Sequence, residues 1–558
     1  MNLSMEVMRP ASARLDPVTV EVIRNAFDSI AAQMNNSLAR SAYTPIIYEM
    51  KDCSVGLFNA DGELLGQSSG LPIFLGALDV AIDVTTEHIG GAENYREGDV
   101  FAINDSYLVG SHLNDISIFS PIFYEGRLVG FGATKAHWLD IGAKDAGQAM
   151  DSTSIYQEGY RLGPTYLYRA GVADHQMIDF LMRNSRLPRS VWGDMHAQIA
   201  ACHTGERMLK RLYERFGSAT VEGAAKQVFD QCERLDREAV AAIPDGIYRA
   251  EGALDSWGPA GGPVPVKLTV TVSGDQIVLD LTGSSPQTPG SMNCGRAQTV
   301  SAARLAYKLL VNPEIPATAG TFRNVSVVTT PRTVFDAREP AACQFYYPHL
   351  GMMVDLFVKA LASALPHAVN AGQPADAMNI LFAGYDDNGI QFFCSEATGV
   401  GWGGLDDLDG VNGRMNYGGG DLKNYPVEVI ESRYPLRVTG YGLQQNSGGA
   451  GEYRGGLGIW RSYETLSEQT TVSLWFERSK QPAWGLFGGE DGAPTDVVID
   501  RGGGEEHILK VNALPLPKGS QVRIQTGGGG GYGDPGKRNP EALKEDLLNG
   551  YVTESPVP

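Results

Sequence analysis

Glycine constrains this chain more than any other residue. It fills 68 of 558 positions, about 12% against a usual ~7%. Much of it is clustered late, in Ser447-Gly448-Gly449-Ala450-Gly451, in the segment Gly485 to Gly489, and in the run Gly527 to Gly531. Glycine reaches backbone angles closed to other residues and weakens helices. Such a chain is expected to use tight turns, strands and close backbone approaches rather than a helical bundle. Glycine runs can also cradle phosphate with backbone N–H groups. Here no GxxxxGK[ST] motif occurs: Gly536-Lys537 is followed by Arg538, and no strand directly precedes it. Turns and bulges are the better reading, and no nucleotide site is expected.

A chain of 558 residues exceeds one compact core, so two to four domains are expected. The net charge of −20 argues against nucleic acid or an anionic membrane as partner. No apolar run reaches the ~18–20 residues that span a bilayer. The stretch Met1 to Pro17 lacks the apolar core and cleavage site of a leader. The six cysteines (Cys53, Cys202, Cys232, Cys294, Cys343, Cys394) form no CxxC pair and read as reduced thiols of a cytoplasmic protein.

Asp16-Pro17 opens a helix with an N-cap and an N1 proline. Val18, Val22, Ile23, Ala26, Phe27, Ile30 and Met34 then recur at helical spacing. Strands are expected at Cys53 to Phe58 and Val100 to Asn104, with a helix at Leu78 to Ile89 between them. Residues 141–165 read as a polar loop. Met177 to Ile243 is mainly helical and ends at Pro244-Asp245-Gly246. Strands at Val266 to Val272 and Gln276 to Leu281 follow, with helices at Val300 to Leu310 and Gly351 to Leu365. A short helix after Asn539-Pro540 closes the chain. Three segments result: 1–245, a mixed domain; 246–375, a middle α+β domain; and 376–558, glycine-rich and β-dominated. The fold class is α+β and multidomain.

One stretch concentrates chemistry. His112 and Asp115 lie three apart, and His137 and Asp140 repeat that spacing, in a chain with nine histidines. Imidazole with carboxylate suits zinc or manganese. Ile116 to Phe123 and Leu128 to Ala133 read as two strands of a hairpin turning at Glu125-Gly126. A three-residue loop sets Asp115 opposite His137. A two-residue loop sets Asn114 there instead, and a slip of one residue reverses every side chain. A metal centre therefore needs the longer loop or a bulge. The alternative is a capped loop beside a buried polar network. Asp52, in Lys51-Asp52-Cys53-Ser54, reads on spacing alone as a strand-edge charge.

Motifs in order along the chain resemble the hydantoinase B/oxoprolinase family. They include Lys51-Asp52-Cys53-Ser54, Gly110-Ser111-His112-Leu113-Asn114-Asp115, Ala136-His137-Trp138-Leu139-Asp140-Ile141-Gly142 and Glu158-Gly159. Asn184-Ser185-Arg186-Leu187-Pro188, Gly193-Asp194, Leu281 to Gln287, Glu431-Ser432-Arg433-Tyr434-Pro435, Gly448-Gly449-Ala450-Gly451, Trp484 to Gly489 and Thr526 to Pro535 complete the set. The resemblance implies a heteromeric, ATP-dependent enzyme. A kinase-like A subunit would bind ATP and Mg, and this chain would hold a divalent metal, zinc first and manganese second, in an N-terminal metal-binding domain. It implies Asp52, His112, Asp115 and His137 as ligands, with His137 and Asp140 catalytic and Asp140 orienting an imidazole or acting as base. Trp138 stands where the family often has His, and Asn114 where Pro is frequent; both are expected to touch the site.

The function so implied is opening of a cyclic amide (a hydantoin, 5-oxoproline or another lactam) after phosphorylation by the partner, in an A2B2-like heteromer. A role in an acetone- or acetophenone-type carboxylase is the first alternative. A non-catalytic scaffold for the A subunit is the second.

Overall fold

The computed structural model describes residues 15–553, so most of the stretch read as lacking a leader lies outside the described residues. Helices and four sheets make a mixed, multidomain α+β architecture. The Asp16 side chain accepts from the Thr19 N–H at 3.0 Å and caps the helix Pro17–Ser41, with Pro17 in its first turn. The buried stripe of that helix is Val20, Ile23, Phe27, Ile30, Met34 and Leu38. Val18 and Val22, expected in the stripe, are exposed. At 3.6 residues per turn Val22 stands about 100° round from Ile23, on the solvent side.

Seven strands form the first sheet, in the order Leu64–Gln67, Cys53–Asn59, Arg127–His137, Asp115–Tyr124, Val100–Ile103, Thr165–Arg169, Val172–Ala173. Helices Pro17–Ser41 and Pro188–Phe216 pack against it. A second sheet runs Val325–Val328, Gln276–Asp280, Val264–Ser273, Gly246–Leu254, and the helix Tyr347–Leu361 packs on it. The third is Gln391–Glu396, Asn379–Tyr385, Gln469–Trp475, Lys510–Leu516. The fourth is Leu436–Leu443, Ile459–Thr465, Gln521–Gln525, Asp496–Asp500, Glu505–His507.

Each sheet stays within one of the three segments read from sequence, but the apolar cores do not. One joins Val20 and Phe27 to Phe382, Tyr463 and Ile524; another joins Leu71 and Phe74 to Met353 and Trp475. Burial across these boundaries locks the N-terminal sheet against the later segments.

The run Gly485 to Gly489 turns as expected, with Phe487 and Gly488 at φ of 51° and 99° and the Gly489 N–H donating to Leu486 O at 3.0 Å. The runs Gly448 to Gly451 and Gly527 to Gly531 instead pack backbone to backbone. A Cβ on Gly529 would lie 2.0 Å from the Trp402 carbonyl oxygen, and one on Gly455 would lie 1.9 Å from that of Gly529. The N–H of Gly529 donates to Gly456 O, that of Gly449 to Gly529 O, and that of Gly530 to Gly372 O, each at 2.9 Å. Those N–H groups are engaged by protein, so they offer no phosphate cradle. No helix among the described residues is long and apolar enough to cross a membrane.

Candidate metal centre

The hairpin resolves the register question with a bulge. Its turn is two residues, Glu125 and Gly126, at φ of 50° and 76°, the signature of a type I′ turn. Phe123 pairs with Leu128 but Ile122 pairs with Gly130, so Val129 is an extra residue in the ladder. From there the register carries Asp115 opposite His137. On the other side Cys53 pairs with Ala136, and the His137 N–H donates to the Asp52 carbonyl at 3.2 Å. Asp52, His137 and Asp115 therefore stand in one row across three adjacent strands. A turn closed by the Asp115 N–H on His112 O, 3.1 Å, brings His112 back to the row.

The side chains converge. His112 Nε2 lies 2.8 Å from Asp115 Oδ1 and 3.1 Å from His137 Nδ1, and His137 Nδ1 lies 3.2 Å from Asp115 Oδ1. His112 Nδ1 faces the Gln344 carbonyl at 3.0 Å, while the Gln344 side-chain amide donates to Asn114 Oδ1. A carbonyl only accepts, so Nδ1 is the nitrogen that donates to Gln344, and Nε2 is the one turned to Asp115 Oδ1 and His137 Nδ1. One atom each of His112, Asp115 and His137 thus meet within 4.8 Å. Asp52 stands outside that trio and lines the same cavity. Asp115 Oδ2 and Asp52 Oδ1 are buried without a hydrogen-bond partner. Orphaned carboxylate oxygens are costly in a protein interior. Converging nitrogen and oxygen donors beside them fit a divalent cation.

The two carboxylates differ. Burial pushes Asp115 up, but charge and hydrogen bonding from His112 and His137 outweigh it and hold the group below the usual carboxylate range. Asp52 is raised by burial, against the pull of His137 and with a smaller push from Asp115.

Asp140 does not face the imidazoles. Its buried carboxylate accepts from the Arg186 guanidinium at 2.7 Å, the Arg186 N–H and the Ser185 hydroxyl. The chain turns after His137, which aims Asp140 at Ser185 and Arg186, just ahead of the helix Pro188–Phe216. Trp138 also points away: one residue on from His137 it projects to the opposite face, where its indole N–H donates to Gln198 at 2.8 Å. Asn114 ties the hairpin ends together, donating to Trp138 O at 2.8 Å.

Sequence alone assigns no role to three residues that shape the site. Gln344 orients His112. Glu158 holds Gln344 in place, accepting from the N–H groups of Cys343 at 3.0 Å and Gln344 at 2.8 Å, and from the Ser152 hydroxyl. Burial pushes Glu158 up to about 8 against those bonds. Lys135 is fully buried, its amine unpaired and 5.2 Å from the Phe74 ring centroid. Burial pulls it down to about 8, with Asp115 opposing. Two-residue periodicity from His137 was the available signal for Lys135. Distant sequence partners left none for Gln344.

The two imidazoles, Asp52, Asp115 and Gln344 open on a cavity of about 70 Å³ to which all three segments contribute, among them Phe74, Gln148, Tyr346, Asn379 and Asn416.

Residues 16–535 match the family model described as Hydantoinase B/oxoprolinase. A putative D-/L-hydantoinase subunit of Pseudomonas sp. (strain NS671) is 31% identical over 561 residues, covering 97% of this chain and 94% of the relative. The crystal structure of ATP-dependent caprolactamase from Pseudomonas jessenii superposes with a TM-score of 0.90 at 27% identity, over 97% of this chain and 95% of that one. A nucleotide-free acetone carboxylase shares the fold, with a TM-score of 0.88 at 20% identity over 97% of this chain and 78% of its own. The chain belongs to the hydantoinase B/oxoprolinase family.

Proposed function

We propose that this chain is the metal-holding, hydrolytic component of an ATP-dependent amidohydrolase that opens a cyclic amide. The observation that carries the reading is the convergence of His112, Asp115 and His137 on one point, beside the orphaned oxygen of Asp52, at the wall of a cavity. A ring amide is resonance-stabilised, and phosphorylating its oxygen turns it into a better electrophile with a good leaving group. With the glycine runs engaged in packing, ATP and Mg belong to a kinase-like A subunit, in an A2B2-like heteromer. The relatives named as a hydantoinase subunit and an ATP-dependent caprolactamase support this division.

Asp52, His112, Asp115 and His137 would hold the divalent ion, zinc before manganese, which supplies Lewis-acid chemistry when bound. The remaining work is done by the chain itself. The Gln344 carbonyl fixes the His112 tautomer, and Glu158 fixes Gln344. Asp140 acts as a positioning residue that pins the segment after His137 to Ser185 and Arg186.

The test uses the complex captured on an affinity tag carried by this chain. ADP release and ring opening are measured with hydantoins, lactams and ketones, and metal is measured per chain. ADP release that tracks ring opening, with about one divalent ion per chain, supports the reading. ADP release that requires a ketone and bicarbonate would replace it with carboxylation, the reaction named for the acetone carboxylase that shares this fold. A complex without stoichiometric metal would make the chain a scaffold.

A further inference from the structure

A second cleft lies behind one wall of the metal cavity. The short helix Pro72–Leu75 and its flanks form that wall: Leu71, Ile73 and Phe74 line the metal cavity, while Pro72, Leu75 and Gly76 line the cleft. The helix Arg296–Leu310 fastens the wall, with the Ser301 hydroxyl donating to Ile73 O at 2.8 Å. The cleft holds about 380 Å³, against about 70 Å³ for the metal cavity. Small-molecule sites run from roughly 300 to 1,000 Å³ and favour domain junctions. This one lies where the first and middle segments meet.

Its floor is apolar, with Phe58, Leu75, Leu305 and Phe322. Above it two helices face each other. Gly76 lies against Ser301, and just beyond it Asp79 accepts from Arg304 Nη1 at 2.7 Å. One helical turn further on, Asp83 and Lys308 both line the cleft, and no ion pair joins them. The Lys308 amine donates only to Asn312 O, and Asp83 makes no hydrogen bond or ion pair among the described residues. Arg304 lies 5.4 Å from the Phe322 ring centroid, and its second bond, to Gly76 O at 2.8 Å, also leaves from Nη1. Nη2 and Nε therefore remain as unused donors. Arg323, by contrast, is taken up by Glu63 and Glu233. Thr318 is a separate sign of a ligand: it is 3% exposed, and its hydroxyl in the wall has no partner. The acids disfavour phosphate or any multiply charged anion, and the cations disfavour a metal ion. A zwitterion satisfies both sides.

We propose that this cleft is a second binding site, which takes a linear amino acid with its carboxylate on Lys308 and the free donors of Arg304, its amine on Asp83 and its chain along Phe322. The source of that ligand rests on the hydrolase reading above. Adding water across the C–N bond of a lactam leaves a carboxylate at one end of the product and an amine at the other. The opened product is then the ligand that this cleft holds, one short helix away from the metal cavity.

The tagged complex, without ATP, is titrated calorimetrically with 6-aminohexanoate, and with hexanoate and hexylamine as probes that carry one charge each. The amino acid should bind at least about tenfold more tightly than either control. Asp83→Asn and Lys308→Met should each weaken it about tenfold, and Thr318→Val about fivefold, with metal per chain unchanged. Asp83→Asn should leave hexanoate binding as it was, which a damaged fold would not. No binding of 6-aminohexanoate at millimolar concentration overturns the proposal. So does binding that both charge variants leave intact, or binding that only His137→Ala removes, which places the probe in the metal cavity. Ring opening is not needed for this titration. A complex that binds the amino acid as expected but opens no ring therefore overturns the hydrolase reading and upholds the site.

Discussion

Asp115 stands opposite His137 because Val129 bulges out of the ladder between them and the turn. The two-residue turn at Glu125-Gly126 would otherwise place Asn114 there. The bulge adds one residue to the second strand, and the alternation of side chains does the rest.

His137→Ala should remove the imidazole that touches both His112 and Asp115. Metal content measured by mass spectrometry should fall from about one per chain to near zero, and ring opening should be lost. Partner binding and the partner's basal ATPase should persist. A His137→Ala complex that turns over fully without metal would sink the metal-centre reading.

Asp52→Asn separates ligand from strand-edge charge. A ligand loss should weaken metal binding about 10–100-fold, the range seen even for outer partners of metal ligands. The same change removes a buried carboxylate with an orphaned oxygen, so the metal-free protein should melt about 2–4 °C higher. Unchanged metal affinity would return Asp52 to the strand edge.

Glu158→Ala leaves the N–H groups of Cys343 and Gln344 without their acceptor. Gln344 should loosen and His112 lose its fixed tautomer. Metal affinity should drop about 10–100-fold while the ligands themselves are intact. Titration with a competing chelator measures this directly. Wild-type affinity would show that the Glu158 contact is remote from the site's energetics.

Asp140→Asn weakens a charge-assisted contact with Arg186. Stability should fall by roughly 1.5–3 kcal/mol, read by denaturant midpoint. The pH profile of kcat should keep its shape, because the Asp140 carboxylate is engaged by Arg186 and Ser185. Loss of the acidic limb of that profile would restore Asp140 as a proton acceptor.

His349 is fully buried in the helix Tyr347–Leu361, and burial pulls it down to about 3 from an ordinary 6.5, with the Val334 backbone opposing. The unfolded chain therefore binds a proton that the folded chain does not. Stability from this group is complete above about pH 6.5 and is lost towards pH 3, at up to about 1.4 kcal/mol per pH unit. Denaturation midpoints between pH 7 and 5 should show a slope that flattens in His349→Leu. An identical slope in both proteins would refute the assignment.

The sequence by itself determined the local elements and the inventory of the site. Aspartate and proline at 16 and 17 start a helix, period-two and period-3.6 patterns place strands and helices, and the repeated His-x-x-Asp spacing marks the chemistry. Asp52 entered only through the family resemblance, because its partner His137 is adjacent in the sheet and not in the chain. The tertiary structure alone decided the rest. It chose between two registers by a bulge at Val129, which has no reliable signature in one sequence. It aimed Asp140 and Trp138 away from the imidazoles and brought Gln344 and Glu158 to them. It also interleaved the glycine runs around Gly449 and Gly529 backbone to backbone, where turns were expected. Periodicity reports which face a residue takes on its own element. Which element lies across from that face depends on long-range packing, and that was visible only in the fold.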